Sequence, residues 1–133
     1  MSNEANEPSA ANNEMKLILI VDDEVDITVT YSMLLELHGY RTIAATDGRQ
    51  ALKLAAAHMP QLIISDCMMP VMDGIELSRQ LRSDGRTAAI PIILMSAAPQ
   101  RHLLAEACHD AFMQKPVRFK ELVAVIGRLL PPR

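Results

Sequence analysis

Leu17-Ile18-Leu19-Ile20-Val21-Asp22-Asp23 is a run of five aliphatic residues that stops on two carboxylates. Such a run has the length of a strand, and its unbroken apolarity is what a strand buried on both faces shows. The same form recurs at Leu62-Ile63-Ile64-Ser65, which stops on Asp66, and at Ile92-Ile93-Leu94-Met95, which stops on Ser96. A fourth piece, Ala111-Phe112-Met113-Gln114, runs into Lys115-Pro116. As parallel strands they would line up Asp22, Asp23, Asp66, Ser96 and Lys115 along one sheet edge. Open α/β sheets bind ligands at that edge, outside the carboxyl ends of the strands.

Between the runs the apolar period changes to three and four. Residues 25 to 38 carry Val25, Val29, Met33, Leu34 and Leu37 at helical spacing, which predicts a helix with that face inward and a cap at Gly39. Tyr40 to Ala45 is a weaker strand interrupted by Arg41. Asp47-Gly48 opens a helix with Ala51, Leu54, Ala55 and His58 on one face, ended by Pro60. A loop from Cys67 to Asp73 leads to a helix over Gly74 to Ser83, and Gln100 to Ala107 reads as a short helix. Phe119, Leu122, Val123, Ile126 and Leu130 mark a final amphipathic helix. Strand and helix thus alternate, and that pattern implies a parallel sheet with helices on both faces. The second and fifth strands, shorter or broken, belong at the edges, and the order 2-1-3-4-5 gives right-handed crossovers. The predicted fold is α/β, a doubly wound five-stranded parallel sheet of flavodoxin-like order. Its switch point lies between strands one and three, at Asp22, Asp23 and Asp66.

The chain has 133 residues, half of them hydrophobic, and a net charge of −3. That length suits one domain, expected over residues 15–131 after a polar tail at 1–14 whose composition predicts disorder. Without a long Lys/Arg run, the charge argues against gripping nucleic acid through counterion release. No apolar stretch approaches the roughly 18 residues of a membrane span, and the N-terminus is acidic and polar rather than signal-like. These features predict a cytoplasmic protein with no membrane partner and no direct nucleic-acid partner. Cys67 and Cys108 lack metal-ligand spacing and read as free thiols. The four histidines show no metal spacing, and the nine methionines read as core, except Met68 and Met69 in the loop.

Three carboxylates brought together repel one another, and Lys115 offsets only one of them. The remaining two negative charges match one divalent ion. Hard oxygen donors favour Mg²⁺, with Mn²⁺ as a substitute, and Mg²⁺ commonly bridges one or two carboxylates to phosphate oxygens. A serine hydroxyl and an ammonium suit the oxygens of a transferring phosphoryl group, and an aspartate can accept that group as an acyl phosphate. Each residue also has a plainer reading. Asp22-Asp23-Glu24 suits a helix N-terminus, Ser96 an N-cap, Lys115 a surface cation, Asp73-Gly74 a turn before the third helix, and Phe112 a core aromatic. What favours a site is that the acids and Lys115 share one edge.

Taken together, Asp22-Asp23 after strand one, Asp66 followed by Met68, Pro70 and Asp73-Gly74, Ser96-Ala97 after strand four, and Phe112 three residues before Lys115-Pro116 resemble the receiver domain of two-component response regulators. The resemblance spans about residues 16–130. It implies that Asp66 is the phosphoacceptor, supplied by a phosphohistidine on a histidine kinase or histidine phosphotransfer protein. It implies that Asp23, Asp66 and the Met68 backbone carbonyl ligate Mg²⁺, with Asp22 acting mainly through water, and that Ser96 and Lys115 bind phosphoryl oxygens. Phe112 would be the aromatic switch that turns inward as Ser96 moves, Lys115-Pro116 a bond often cis in the family, and the fourth helix, fifth strand and fifth helix the surface read by a downstream protein. Such a receiver catalyses only its own phosphorylation and dephosphorylation, and here it is expected to stand alone rather than within a hybrid kinase. A Mg²⁺-dependent phosphohydrolase would want its nucleophile near strand one and a second domain. A degenerate receiver would have lost some of the five site residues.

Two departures stand out. Cys108-His109-Asp110-Ala111 replaces the usual Gly-Ala-Asp-Asp, and the stretch from Ser96 to Lys115 is short by about one helical turn. Met68 and Ala98, two residues beyond the acceptor and the serine, cannot orient a water by hydrogen bonding. That pair predicts a long-lived phosphoryl group.

Overall fold

The computed structural model describes residues 16–98 and 101–130; the tail at 1–14 lies outside the described residues. Strands β1 (Leu17–Val21), β2 (Arg41–Ala45), β3 (Leu62–Asp66), β4 (Ile92–Ser96) and β5 (Ala111–Gln114) alternate with five helices. These are α1 (Val25–Leu37), α2 (Gly48–His58), α3 (Gly74–Ser83), α4 (Arg101–Leu104) and α5 (Phe119–Leu129). The strands pair in parallel in the order β2-β1-β3-β4-β5, as the sequence predicts. β1, β3 and β4 are buried throughout, whereas the edge strands β2 and β5 are only partly covered.

Because successive strand side chains point to opposite faces, the sheet divides the core in two. Leu19, Val21, Ile63, Ile92 and Leu94 face α2 and α3 through Ala51, Ala55, Leu77 and Leu81. Ile18, Ile20, Leu62, Ile64, Ile93 and Met95 face α1 and α5 through Leu35, Leu122 and Ile126.

Helix α1 corrects the sequence reading. Val25, Val29, Met33 and Leu37, expected inward, are 56%, 50%, 60% and 80% exposed. Leu34, expected inward with them, is partly buried, and the core contact is made by Leu35, fully buried, and Tyr31, packed beside it. Thr28 is buried too, at little cost, since its hydroxyl donates to the Val25 carbonyl at 2.8 Å. Gly39 follows the helix with φ of 91°, as a C-terminal glycine should. The methionines are also less central than expected. Met95 is buried, but Met33, Met59 and Met68 are exposed and Met69, Met72 and Met113 only partly covered.

Helix α4 is a single turn, shorter than the Gln100–Ala107 expected, and Gln100 lies outside the described residues. The chain beyond it is tied to α3 by polar contacts instead. The Cys108 N–H donates to Ser78 Oγ at 2.9 Å, Arg79 pairs with Glu106 at 3.7 Å, and Arg82 pairs with Asp110. Arg82 also donates to the carbonyls of Ala88 (3.0 Å) and Ile90 (2.7 Å), while Asp110 accepts the Ile92 N–H at 2.8 Å.

Candidate functional site

The strand ladder carries the polar groups to one edge and fixes them there. The backbone bonds continue past the apolar runs: the Asp22 N–H donates to Ala45 O (3.1 Å), the Cys67 N–H to Met95 O (2.8 Å) and the Lys115 N–H to Ser96 O (2.9 Å). Asp22, Asp66 and Ser96 are therefore buried at strand ends, at 2%, 9% and 3% exposure, while Asp23 stays open to solvent. One carboxylate oxygen from each of Asp22, Asp23 and Asp66 lies within 4.8 Å of the others. Lys115 Nζ reaches into the cluster, 3.2 Å from Asp22 Oδ2 and 3.2 Å from Asp66 Oδ1.

The acids after β1 are not used as a helix cap. Glu24 occupies the N-cap of α1 without a side-chain cap bond, and Asp22 Oδ1 instead accepts the Glu24 N–H at 2.9 Å. The plainer reading of Ser96 as a helix N-cap does not hold: its Oγ accepts the Ala98 N–H at 3.2 Å in a local turn, and the next helix begins only at Arg101. Phe112 lies partly buried against the α2/α3 side of the core, beside Leu94 in the register. Met68, 53% exposed, stands at the mouth of the site with Val71, which holds a left-handed φ of 72°. The Lys115-Pro116 bond is cis.

Two residues that matter here are not visible as site residues in the sequence. A Cβ on Gly74 would stand 2.2 Å from the Asp66 carbonyl oxygen, so only glycine lets α3 begin this close to the end of β3. Ser65 Oγ donates to that same carbonyl at 2.9 Å. Asp73, capping α3 through the Glu76 N–H at 2.9 Å, completes the support. The signal in the sequence was the Asp-Gly pair, which reads as a turn; its distance to Asp66 is set by the fold.

Burial pushes the Asp66 carboxyl above its ordinary range; Lys115 opposes this, and the charges of Asp22 and Asp23 add to it. Burial alone would lower Lys115, but the Asp66 and Asp22 charges outweigh it and hold the ammonium more firmly protonated than usual. The neighbouring Cys67 thiol is pushed up to about 11 by burial and by the Asp66 and Asp73 charges, so it stays neutral and unreactive. A carboxylate that resists ionisation beside two other acids is under-compensated by one ammonium. The donor set of three carboxylate oxygens fits a hard divalent cation.

Residues 18–127 match the model of the response regulator receiver domain. The chain belongs to this family. The receiver is 38% identical over 118 residues to the alkaline phosphatase synthesis transcriptional regulatory protein PhoP of Bacillus subtilis, covering 86% of the chain and 48% of PhoP. The receiver thus spans about half the length of that relative. Among solved structures it is similar to the signal receiver domain of a signal transduction histidine kinase from Syntrophus aciditrophicus. The TM-score there is 0.80 and the identity 34%, over 86% of this chain and 89% of that one. It also resembles the receiver domain of sensor histidine kinase PA1611 from Pseudomonas aeruginosa, with TM-score 0.78 and 28% identity, over 86% and 97% of the two chains. That structure has a magnesium ion coordinated in its active-site cleft. Receiver domains of response regulators interact with histidine kinases and bind Mg²⁺ at an acidic site of this kind. Among the described residues, no helix is long and apolar enough to cross a membrane.

Proposed function

We propose that this receiver, over residues 15–131, acts as a single-domain phosphoacceptor. A histidine kinase or histidine phosphotransfer protein presents a phosphohistidine, the P–N bond to its imidazole breaks, and a P–O bond to an Asp66 carboxylate oxygen forms. The observation that carries this reading is the convergence of Lys115 and the two other acids on the largely buried Asp66 carboxylate. Asp22, Asp23 and Asp66, with the Met68 carbonyl, would hold Mg²⁺, which draws negative charge off the transferring oxygens. Lys115 neutralises a second phosphoryl oxygen, and the Ser96 hydroxyl donates to a third once it leaves the Ala98 N–H. That departure moves the end of β4, and Phe112 follows it inward.

The donor needs a surface beside the site. Among the described residues, the large exposed apolar side chains are Val25, Val29, Met33 and Leu37 on α1, Met68 and Val71 at the mouth, and Met59. In this reading the donor docks on α1 and the mouth, and a downstream protein reads α4-β5-α5. The net charge of −3 favours a protein partner over direct nucleic-acid contact.

The test is to incubate the protein with acetyl phosphate and Mg²⁺ and weigh it intact. A gain of one phosphoryl group in the wild type, absent in Asp66→Asn and in EDTA, supports the reading. An equal gain in Asp66→Asn, or no gain at all, overturns it.

A further inference from the structure

Cys108-His109-Asp110-Ala111 is left unexplained by the phosphoacceptor chemistry, and it places a titratable ring beside Phe112. The His109 and Phe112 rings meet edge to face, centroids 6.5 Å apart at 70°. His109 Nδ1 is buried and has no hydrogen-bond partner, alone in this among the buried side-chain nitrogens and oxygens of the described residues. Buried polar atoms are nearly always paired, so an orphan of this kind marks an arrangement held by something else. Here it is ring packing. The neutral imidazole tolerates a dry nitrogen at modest cost, but a protonated one would bury an unpaired N–H⁺.

None of the charged groups near the ring is bonded to Nδ1 in this arrangement. From α3, Arg82 disfavours a positive imidazole; from the ring's own segment, Asp110 favours one. The Asp110 carboxylate is already engaged by Arg82 and by the Ile92 N–H. Glu106, in the same segment, is paired with Arg79 of α3. Burial, assisted by Arg82 and opposed by Asp110, keeps the His109 imidazole less basic than an ordinary histidine. His109 as a residue is only partly buried, so the ring has a short path to solvent once it lets go.

We propose that His109 is a proton-operated latch on Phe112: neutral, it packs against the aromatic ring and holds it in the unphosphorylated position; protonated, it leaves for solvent and frees Phe112 to turn. This rests on the phosphoacceptor reading, in which Phe112 moves toward Ser96 on phosphorylation. Linkage makes the coupling reciprocal. If acid frees Phe112, then phosphorylation, by withdrawing Phe112 from His109, must make the imidazole easier to protonate. His109 therefore acts as a positioning residue whose effect on the switch depends on pH.

The measurement is the pH titration of the histidine Cε1–H resonances of the whole protein by NMR, with His109→Gln used to assign the His109 signal. It is run with and without beryllofluoride and Mg²⁺. His109 is expected to titrate below an ordinary histidine in the free protein, and to rise by about half a unit to one unit with beryllofluoride. A rise of one unit corresponds to roughly a tenfold greater readiness to bind a proton. His109→Phe, which keeps a ring but not the proton, should make the beryllofluoride midpoint independent of pH around the His109 titration. If beryllofluoride shifts the amides of Asp66 and Ser96 while the His109 titration stays put, the latch is wrong and the phosphoacceptor reading stands. If those amides do not respond at all, both fall.

Discussion

The two sides of the sheet's carboxyl edge hold their functional groups by different means. At β1 and β3, Asp22 and Asp66 sit at the ends of fully buried strands. The Asp66 carbonyl is further pinned by Ser65 and by the close start of α3 at Gly74. At β4 and β5 the edge strand is half covered, α4 is one turn, and the segment before Phe112 is held by the side chains of Ser78, Arg79 and Arg82. Backbone ladders and steric contact permit one arrangement, whereas side-chain bonds can be exchanged for bonds to water. In the proposed reading the phosphoacceptor Asp66 sits on the more rigid side, while Ser96, Lys115 and Phe112, which would sense the phosphoryl group, sit on the side that can change.

Gly74→Ala attacks the rigid side. Its Cβ meets a backbone oxygen rather than a flexible side chain, so α3 or Asp66 must move. A cost of about 3 kcal/mol is expected, at the upper end for overpacking. Phosphorylation by acetyl phosphate should slow by about tenfold or more, because small misplacements of reacting groups are expensive. Urea unfolding and intact mass against time measure the two effects. A variant that unfolds earlier yet is phosphorylated at the wild-type rate would show that the β3 end is less constrained than its contacts imply.

Arg82→Ala is the matching change on the other side. It removes the ion pair from Asp110, which keeps the Ile92 N–H, and takes the donor from two carbonyls, with an expected loss of about 2 kcal/mol. Since none of these groups touches Asp66, phosphoacceptance should survive while the beryllofluoride response of Phe112 and its neighbours broadens or changes amplitude. Loss of phosphorylation in a folded Arg82→Ala protein would mean that the two sides are not separable.

How much of this could be read beforehand follows the same division. The buried strands β1, β3 and β4 announce themselves by unbroken apolar runs that stop on Asp22-Asp23, Asp66 and Ser96, and β5 runs into Lys115, so these five were legible with the strand order. Helix α1 was misread in four of its five positions because apolar residues lie on more than one face, and only the sheet beneath decides that Tyr31 and Leu35 turn in rather than Val25, Val29, Met33 and Leu37. Gly74 and Ser65 were seen as turn and strand, because their meeting with the Asp66 carbonyl depends on where α3 docks. The ties from α3 to Glu106, Cys108 and Asp110 join residues about 27 to 30 apart, and no local periodicity encodes them.

The mouth between the two sides offers a smaller effect. Met68 and Ala98 flank the acceptor and the serine without a group able to hold a water in line for attack on the acyl phosphate. Met68→Asn should shorten the phosphoryl half-life about tenfold, equivalent to about 1.4 kcal/mol of barrier. Release of phosphate from purified phosphoprotein in Mg²⁺ measures it. An unchanged half-life would place control of hydrolysis elsewhere.

The smallest expected effect returns to Asp66 itself. Its carboxyl is shifted upward by burial, with Asp22 and Asp23 adding to the shift against Lys115, so ionising it costs more in the folded protein than in the unfolded chain. Its contribution to stability is best at pH below the ordinary carboxylate range and declines as pH rises through the raised folded value. At neutral pH without metal, Asp66→Asn should therefore be more stable than wild type, by about 1 kcal/mol or a few degrees in Tm. The difference should vanish on acidification, where both side chains are neutral. Added Mg²⁺ should reverse it, because the ion binds the folded wild type and loses a ligand in the variant. Thermal melts at pH 7 and in acid, with and without Mg²⁺, test the sign in each corner. A wild type more stable than Asp66→Asn in metal-free neutral buffer would mean that Lys115 compensates the three acids by itself and that the site has no need of a divalent ion.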